Sequence, residues 1–277
     1  MNNNIAQVQE ISKAFLADLE KQSQKVELYQ AIEIRKFDLP KLITIENVSK
    51  EFSLRHNKKF YAVKDMNLTL YQGQNVALLG SNGAGKTTTV EMIVGISNPT
   101  SGQIIYNMQE NSKISNALIG IQFQDSSYPQ GLNVKDVISS MKKIYGSALA
   151  DSDIDNLIKI FGIDEFIYNK ASALSGGQQQ RLNALLAIIH CPKLIILDEL
   201  STGLDIKIKS RLIHFIKKFA IANESSILLI SHDVNEVEII ADRIVIMHKG
   251  KIIYDALTEE TIEQFGSVAK CLDKYIG

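Results

Sequence analysis

Residues 80–88 read G-S-N-G-A-G-K-T-T and follow the apolar run Val76, Ala77, Leu78, Leu79. Gly80, Gly83 and Gly85 can take backbone paths that a Cβ blocks, and they lie between a strand-like segment and one with helical spacing, Thr87 to about Ile96. A glycine loop in that position turns successive N–H groups inward, and the helix behind it adds the positive end of its dipole. The pattern G-x-x-x-x-G-K-[ST] is a phosphate cradle. Gly80, Ser81, Asn82, Gly83, Ala84 and Gly85 form its wall with Thr88 at its end, Lys86 reaches the outer phosphates, and the Thr87 hydroxyl suits a magnesium ion. The expected order is strand, loop, helix, and the expected ligand is a nucleoside triphosphate; a glycine-rich turn that binds nothing is the alternative.

Composition sets the frame around that loop. A chain of 277 residues, 45% of them apolar, can bury the core of one large α/β domain or of a domain with a subdomain. A formal net charge of −1 gives no argument for nucleic acid, and none is expected as a partner. Cys191 and Cys271 lie far apart and fit neither a disulfide framework nor a zinc site, so a reducing compartment suits them. There is no run of eighteen or more apolar residues, and M-N-N-N lacks the basic and apolar regions of a secretion signal. The chain is expected to be soluble by itself and cytoplasmic; membrane work would need other polypeptides to span the bilayer. Without an internal repeat, a tandem of two nucleotide domains is not expected.

Along the chain, residues 1–40 stand apart. Ile5, Val8, Ile11, Phe15 and Leu19 recur at helical spacing, so an amphipathic helix is expected to about Ala31, docking either on its own domain or on a partner or membrane surface. From Leu42 the runs L-I-T-I-E-N-V and N-L-T-L-Y read as short antiparallel strands, with Phe52, Phe60 and Tyr61 between them as aromatics able to stack on a base. Strands are expected at 103–106 and 117–123. Residues 132–172 keep helical spacing and form an insert punctuated by Gly131, Gly146 and Gly162. The final hairpin, 243–255, has a Lys-Gly turn, and one helix, 258–275, closes the chain, with no appended regulatory domain expected.

Three further stretches carry chemistry. L-S-G-G-Q at 174–178 presents Ser175, Gly176, Gly177 and Gln178 at a helix start, a second anion-binding feature, though it also reads as a plain N-cap. Leu194 to Leu197 is apolar on both faces, as in a central parallel strand, and ends in Asp198 and Glu199, where open α/β sheets bind ligands. Asp198 suits magnesium and Glu199 suits a general base on water; a solvated strand end is the alternative. Ser226 to Ile230 is another such strand and leads to His232.

The ordered set of G-S-N-G-A-G-K-T-T, Gln124, L-S-G-G-Q, L-I-I-L-D-E and His232 resembles the nucleotide-binding subunit of ATP-binding cassette transporters, over about residues 42–255. The resemblance implies an α/β fold: a P-loop core with a mostly parallel sheet, an N-terminal antiparallel β-subdomain, and a helical insert, about 128–190, carrying the signature motif. Residues 1–40 fall outside it, leaving 41–277 as the ATPase domain. It further implies ATP and Mg²⁺ as ligands, Lys86 and the loop amides as the phosphate site, and Thr87, Gln124 and Asp198 around the metal. Glu199 is implied as catalytic base, His232 as the group on the γ-phosphate, and Phe52 as the adenine-stacking aromatic. Ser175 to Gln178, with Asp205, would complete the site of an opposite subunit in a head-to-tail dimer. The implied partners are that second subunit and transmembrane permease subunits. Leu200 and Ser201 depart from the proline and small residue commoner after Asp-Glu, at positions without chemistry. The N-G-A-G-K-T-T loop with a short C-terminus is similar to exporters of the ABC-2 type.

Two rivals come from other classes. A soluble ATPase of translation or DNA repair usually carries two cassettes or a long coiled-coil insertion. A P-loop GTPase should show N-K-x-D, whereas Asn169 and Lys170 are followed by Ala171 and Ser172.

Overall fold

The computed structural model describes residues 2–21, 39–53, 59–108, 118–122, 127–200 and 203–277. In chain order the elements are α1 (Asn2–Lys21), β1 (Lys41–Ser53), β2 (Lys59–Tyr71), β3 (Val76–Leu79), α2 (Lys86–Ile93), β4 (Ser101–Tyr106) and β5 (Ile119–Gln122). They continue with α3 (Val134–Tyr145), α4 (Asp151–Ile160), α5 (Gly176–Ile188), β6 (Leu194–Asp198), α6 (Ile206–Asn223), β7 (Ser226–Ile230) and α7 (Val234–Ile240). The last are β8 (Arg243–His248), β9 (Lys251–Leu257), α8 (Thr258–Phe265) and α9 (Val268–Ile276). The chain divides into two compact units, residues 1–39 with 120–225, and residues 40–119 with 226–277.

The second of these, the phosphate-loop unit, contains two sheets. β1 pairs antiparallel with β2 and with β4, and the inward positions Ile43, Ile45, Val48, Val63, Met66 and Leu70 are buried. The other strands run β7, β3, β8, β9, with β3 parallel to β7 and β8 and only β9 antiparallel. Every residue of β3 is buried, as a strand covered on both faces requires. Lys249 and Gly250, both at positive φ, make the tight turn between β8 and β9. Arg243 grips Asp255 bidentately at 2.6 and 2.5 Å and donates to the Thr69 carbonyl, so β9 and β2 are both tied to β8.

The first, the signature-helix unit, is helical around β5 and β6. The apolar stripe of α1 is taken up within this unit. Val8 and Ser12 are buried, Phe15 meets Phe215 edge-on at 5.3 Å, and Gln9 donates to Asp153 at 2.8 Å, so α1 lies on α6 and α4. The expected continuation to Ala31 lies outside the described residues. Asn133 opens α3 with a capping box and Gly146 closes it in the left-handed region, two ends foreshadowed by the helical spacing and the glycine.

The structure departs from the sequence expectations in three places. Phe52, Phe60 and Tyr61 lie inside β1 and β2, each 13 residues long, rather than between two short strands. The closing helix is two helices, because Gly266 (φ 84°) ends α8 and the Ser267 side chain caps α9 by accepting from the Lys270 N–H. The short α7 has no counterpart in the sequence expectations; Asp233 starts it by accepting from the N–H groups of Asn235 and Glu236.

Candidate functional site

In the phosphate-loop unit, the 80–88 loop is wedged between β2 and the β8–β9 turn. A Cβ on Gly80 would run into the Met247 carbonyl oxygen, and one on Gly85 into that of Ala62. The loop is also bonded to the hairpin, since the Gly250 N–H donates to the Ala84 carbonyl at 2.9 Å and the Lys64 N–H to Gly250 at 2.8 Å. Gly80, Gly83 and Gly85 all have positive φ. The glycines thus serve both backbone angle and close approach.

α2 begins at Lys86 with Gly85 as its N-cap and no side-chain cap, so its opening can receive an anion. Lys86 is buried and folds back into the loop, donating to the carbonyls of Gly80 at 2.7 Å and Ser81 at 3.1 Å. The Thr87 side chain is exposed and Thr88 half-buried, while Thr89 is used internally, donating to the Gly85 carbonyl. Ser81, Asn82 and Gly83 line the exposed rim.

Phe52 and Phe60 stand opposite each other across β1 and β2, and both are exposed, with Lys50 Nζ 5.3 Å from the Phe52 ring. Tyr61 belongs to the other face, opposite Glu51, which also bonds Lys59 at 2.8 Å. Those bonds hold the Glu51 carboxyl below its ordinary value. Register therefore groups Phe60, not Tyr61, with Phe52. His232 is exposed and follows β7, between its last residue and the Asp233 cap.

In the signature-helix unit, β6 is buried throughout and delivers Asp198, itself buried, at its carboxyl end. The next residue, Glu199, has φ 53°, a left-handed conformation that costs a non-glycine residue about 1 kcal/mol or more. Strain of this kind persists where the surroundings hold it, here between buried Asp198 and fully buried Leu200. Ser175 caps α5: it accepts from the Gln178 N–H at 3.3 Å, while the Gln178 side chain accepts from the Ser175 N–H at 3.0 Å. Gly176 is open, and a Cβ on Gly177 would sit 2.7 Å from the Gly203 carbonyl oxygen, so the helix start is packed on the 203–205 turn. Asp205 caps α6 by accepting from the N–H groups of Lys207 and Ile208, both at 3.0 Å. Gln124 lies outside the described residues.

Sequence reasoning missed Gln122 and Gln180. Gln122 is fully buried beside Asp198, donating to its carbonyl at 3.1 Å and to the Gln180 side chain at 2.5 Å. The one local signal was a glutamine inside the apolar strand I-G-I-Q-F. His190 stacks on Tyr145 at 4.1 Å, and His214 Nδ1 bonds the Ser210 carbonyl at 2.7 Å.

A glycine cradle against an uncapped helix, after a fully buried parallel strand, defines an α/β protein of the phosphate-loop nucleotide-binding class. Comparison with known proteins narrows the class. The family description "ABC transporter" matches residues 63–202, and a shorter match, to "AAA domain, putative AbiEii toxin, Type IV TA system", covers 168–238. The oligopeptide transport ATP-binding protein OppF of Streptococcus pyogenes serotype M1 is 32% identical over 237 residues, 79% of this chain and 76% of that protein. ABC transporter A family member 1 of Dictyostelium discoideum is 34% identical over 219 residues, 75% of this chain; the match spans about a quarter (24%) of that longer protein. A dimeric ATP-binding cassette in a post-hydrolysis state, bound to ADP and Pi, superposes with a TM-score of 0.69 at 23% identity, covering 78% of this chain and 98% of that one. The chain belongs to the ABC transporter family, as its ATP-binding and ATP-hydrolysing domain.

Proposed function

We propose that this chain is the ATPase subunit of a multi-component ABC membrane transporter, an exporter, working as a dimer with separate transmembrane permease subunits. The observation that carries the reading is the uncapped Gly85–Lys86 helix opening together with a second glycine-bearing helix start, capped by Ser175, in the same chain. One nucleotide site needs only the first. The second finds its use on the ATP held by an opposite copy or a homologous subunit. Residues 41–277 then form the ATPase domain, 128–190 its helical subdomain, and 1–40 an extension. Among the described residues no helix is long and apolar enough to cross a membrane, so the proposed place is peripheral, at the inner face through the permease. Export rests on the N-G-A-G-K-T-T loop.

The donors present fit the ligands. Gly80 and Gly85 leave a wall of backbone where side chains cannot stand, the shape a phosphate chain takes. Thr87 and Asp198 offer the hard oxygens that Mg²⁺ prefers, joined by Gln124, and the ion when bound neutralises charge on the transferring phosphoryl group. On ATP binding, Lys86 exchanges the Gly80 and Ser81 carbonyls for the outer phosphates, and Phe52 stacks on adenine. The partner's Ser175 loop, with Gly176, Gly177, Gln178 and Asp205 at the interface, covers the γ-phosphate. Glu199 accepts a hydrogen bond from the attacking water and His232 donates to the γ-phosphate, so catalysis is mainly orientation and charge stabilisation. Closing and reopening of the dimer is passed to the permease beside Gln124 and the helical insert.

Glu199→Gln keeps the nucleotide contacts and removes the base, so it should accumulate as an ATP-bound dimer in Mg·ATP. Light scattering after size exclusion checks this. A variant that binds ATP yet stays monomeric at high concentration contradicts the dimeric site.

A further inference from the structure

One face of α5 grips the chain on both sides of residues 123–126. Gln122 Nε2 donates to Gln180 Oε1 at 2.5 Å and to the Asp198 carbonyl at 3.1 Å. One turn along, Asn183 accepts from the hydroxyl of Tyr128, whose pKa burial pushes well above the ordinary tyrosine value. Another turn along, the Ala187 carbonyl lies so close to Gly120 that no Cβ could fit. Positions 180, 183 and 187 share a helix face, so the three grips span about 10 Å of α5 at a rise of 1.5 Å per residue. Ser175 caps the same helix. Gln122 also touches β6 at the residue before the strained Glu199.

We infer that Gln122 and Gln180 are positioning residues that tie the Ser175 helix to the Asp198–Glu199 turn of the same chain. The inference rests on the nucleotide-site reading above. Both amides are buried, and a buried donor or acceptor pulled from its partner keeps its full desolvation penalty, so helix and turn shift together. In the dimer, Glu199 serves the chain's own ATP while Ser175 serves the partner's. The Gln122 link therefore makes each chain a connection between the two ATP sites: occupancy at one moves the signature helix at the other.

The test is hydrogen exchange of the full-length chain, with and without a magnesium complex of a non-hydrolysable ATP analogue, whose affinity is measured in parallel. In the wild type, binding changes exchange over residues 176–183. Gln122→Met and Gln180→Met, which keep length but remove the bond, should bind the analogue equally well and lose that change. Gln180→Glu keeps the acceptor and should retain it. The inference is overturned if the Met variants respond like the wild type, if Gln180→Glu behaves like Gln180→Met, or if the wild type binds without any change in α5. Should Gln122→Met not fold, the Gln180 pair decides alone. A wild type that does not bind the analogue overturns the nucleotide site itself, a result distinct from loss of the link.

Discussion

Glu199 is the residue at which stability and chemistry pull apart. Its left-handed backbone costs about 1 kcal/mol relative to glycine, a cost that Gln in its place keeps. Glu199→Gly should therefore melt above Glu199→Gln while both lose hydrolysis; calorimetry of the two checks it, and equal or reversed melting temperatures would remove strain from the account. Lys86, Ser175 and Asp198 were singled out by tight local spacing, and each stands at the end of an element: Lys86 opens α2, Ser175 caps α5 and Asp198 closes β6. Gln122, Gln180, Tyr128 and Asn183 were not. Their partners lie 58, 76 and 55 residues away, and no local pattern announces a tertiary hydrogen bond.

Among the elements, the buried strands β3, β6 and β7 read correctly because continuous apolar runs of four or five residues have few other uses. The amphipathic α1 was visible from periodicity, but the identity of its support was not, since a stripe of Ile5, Val8, Ile11, Phe15 and Leu19 fits any apolar surface equally well. The break between α8 and α9 was missed because one glycine in a helical pattern is ambiguous until its φ is known. That φ is 84°, so Gly266→Ala should lower stability by about 1 kcal/mol without affecting ATP binding. Denaturant titration measures the loss. An unchanged midpoint would mean that the two helices join as readily as they part.

At the scale of the whole molecule, the proposed mechanism divides the labour between two chains. A single chain carries a glycine phosphate loop, with its lysine already inside the loop, and a second, capped glycine helix start. In the proposed dimer, binding would belong to the single chain and turnover to the pair. The chain belongs to the ABC transporter family, and its fold matches that of an ATP-binding cassette. The N-terminal helix does not alter this division, because it packs within its own unit.

Complementation tests the division most directly. Lys86→Ala disables a chain's own cradle and leaves its Ser175 loop intact; Ser175→Arg does the reverse. Each variant alone should be nearly inactive as an ATPase, and an equimolar mixture, at concentrations where wild-type turnover per molecule has reached its plateau, should regain activity through dimers holding one intact composite site. A mixture no more active than the sum of its parts would contradict a site shared between chains.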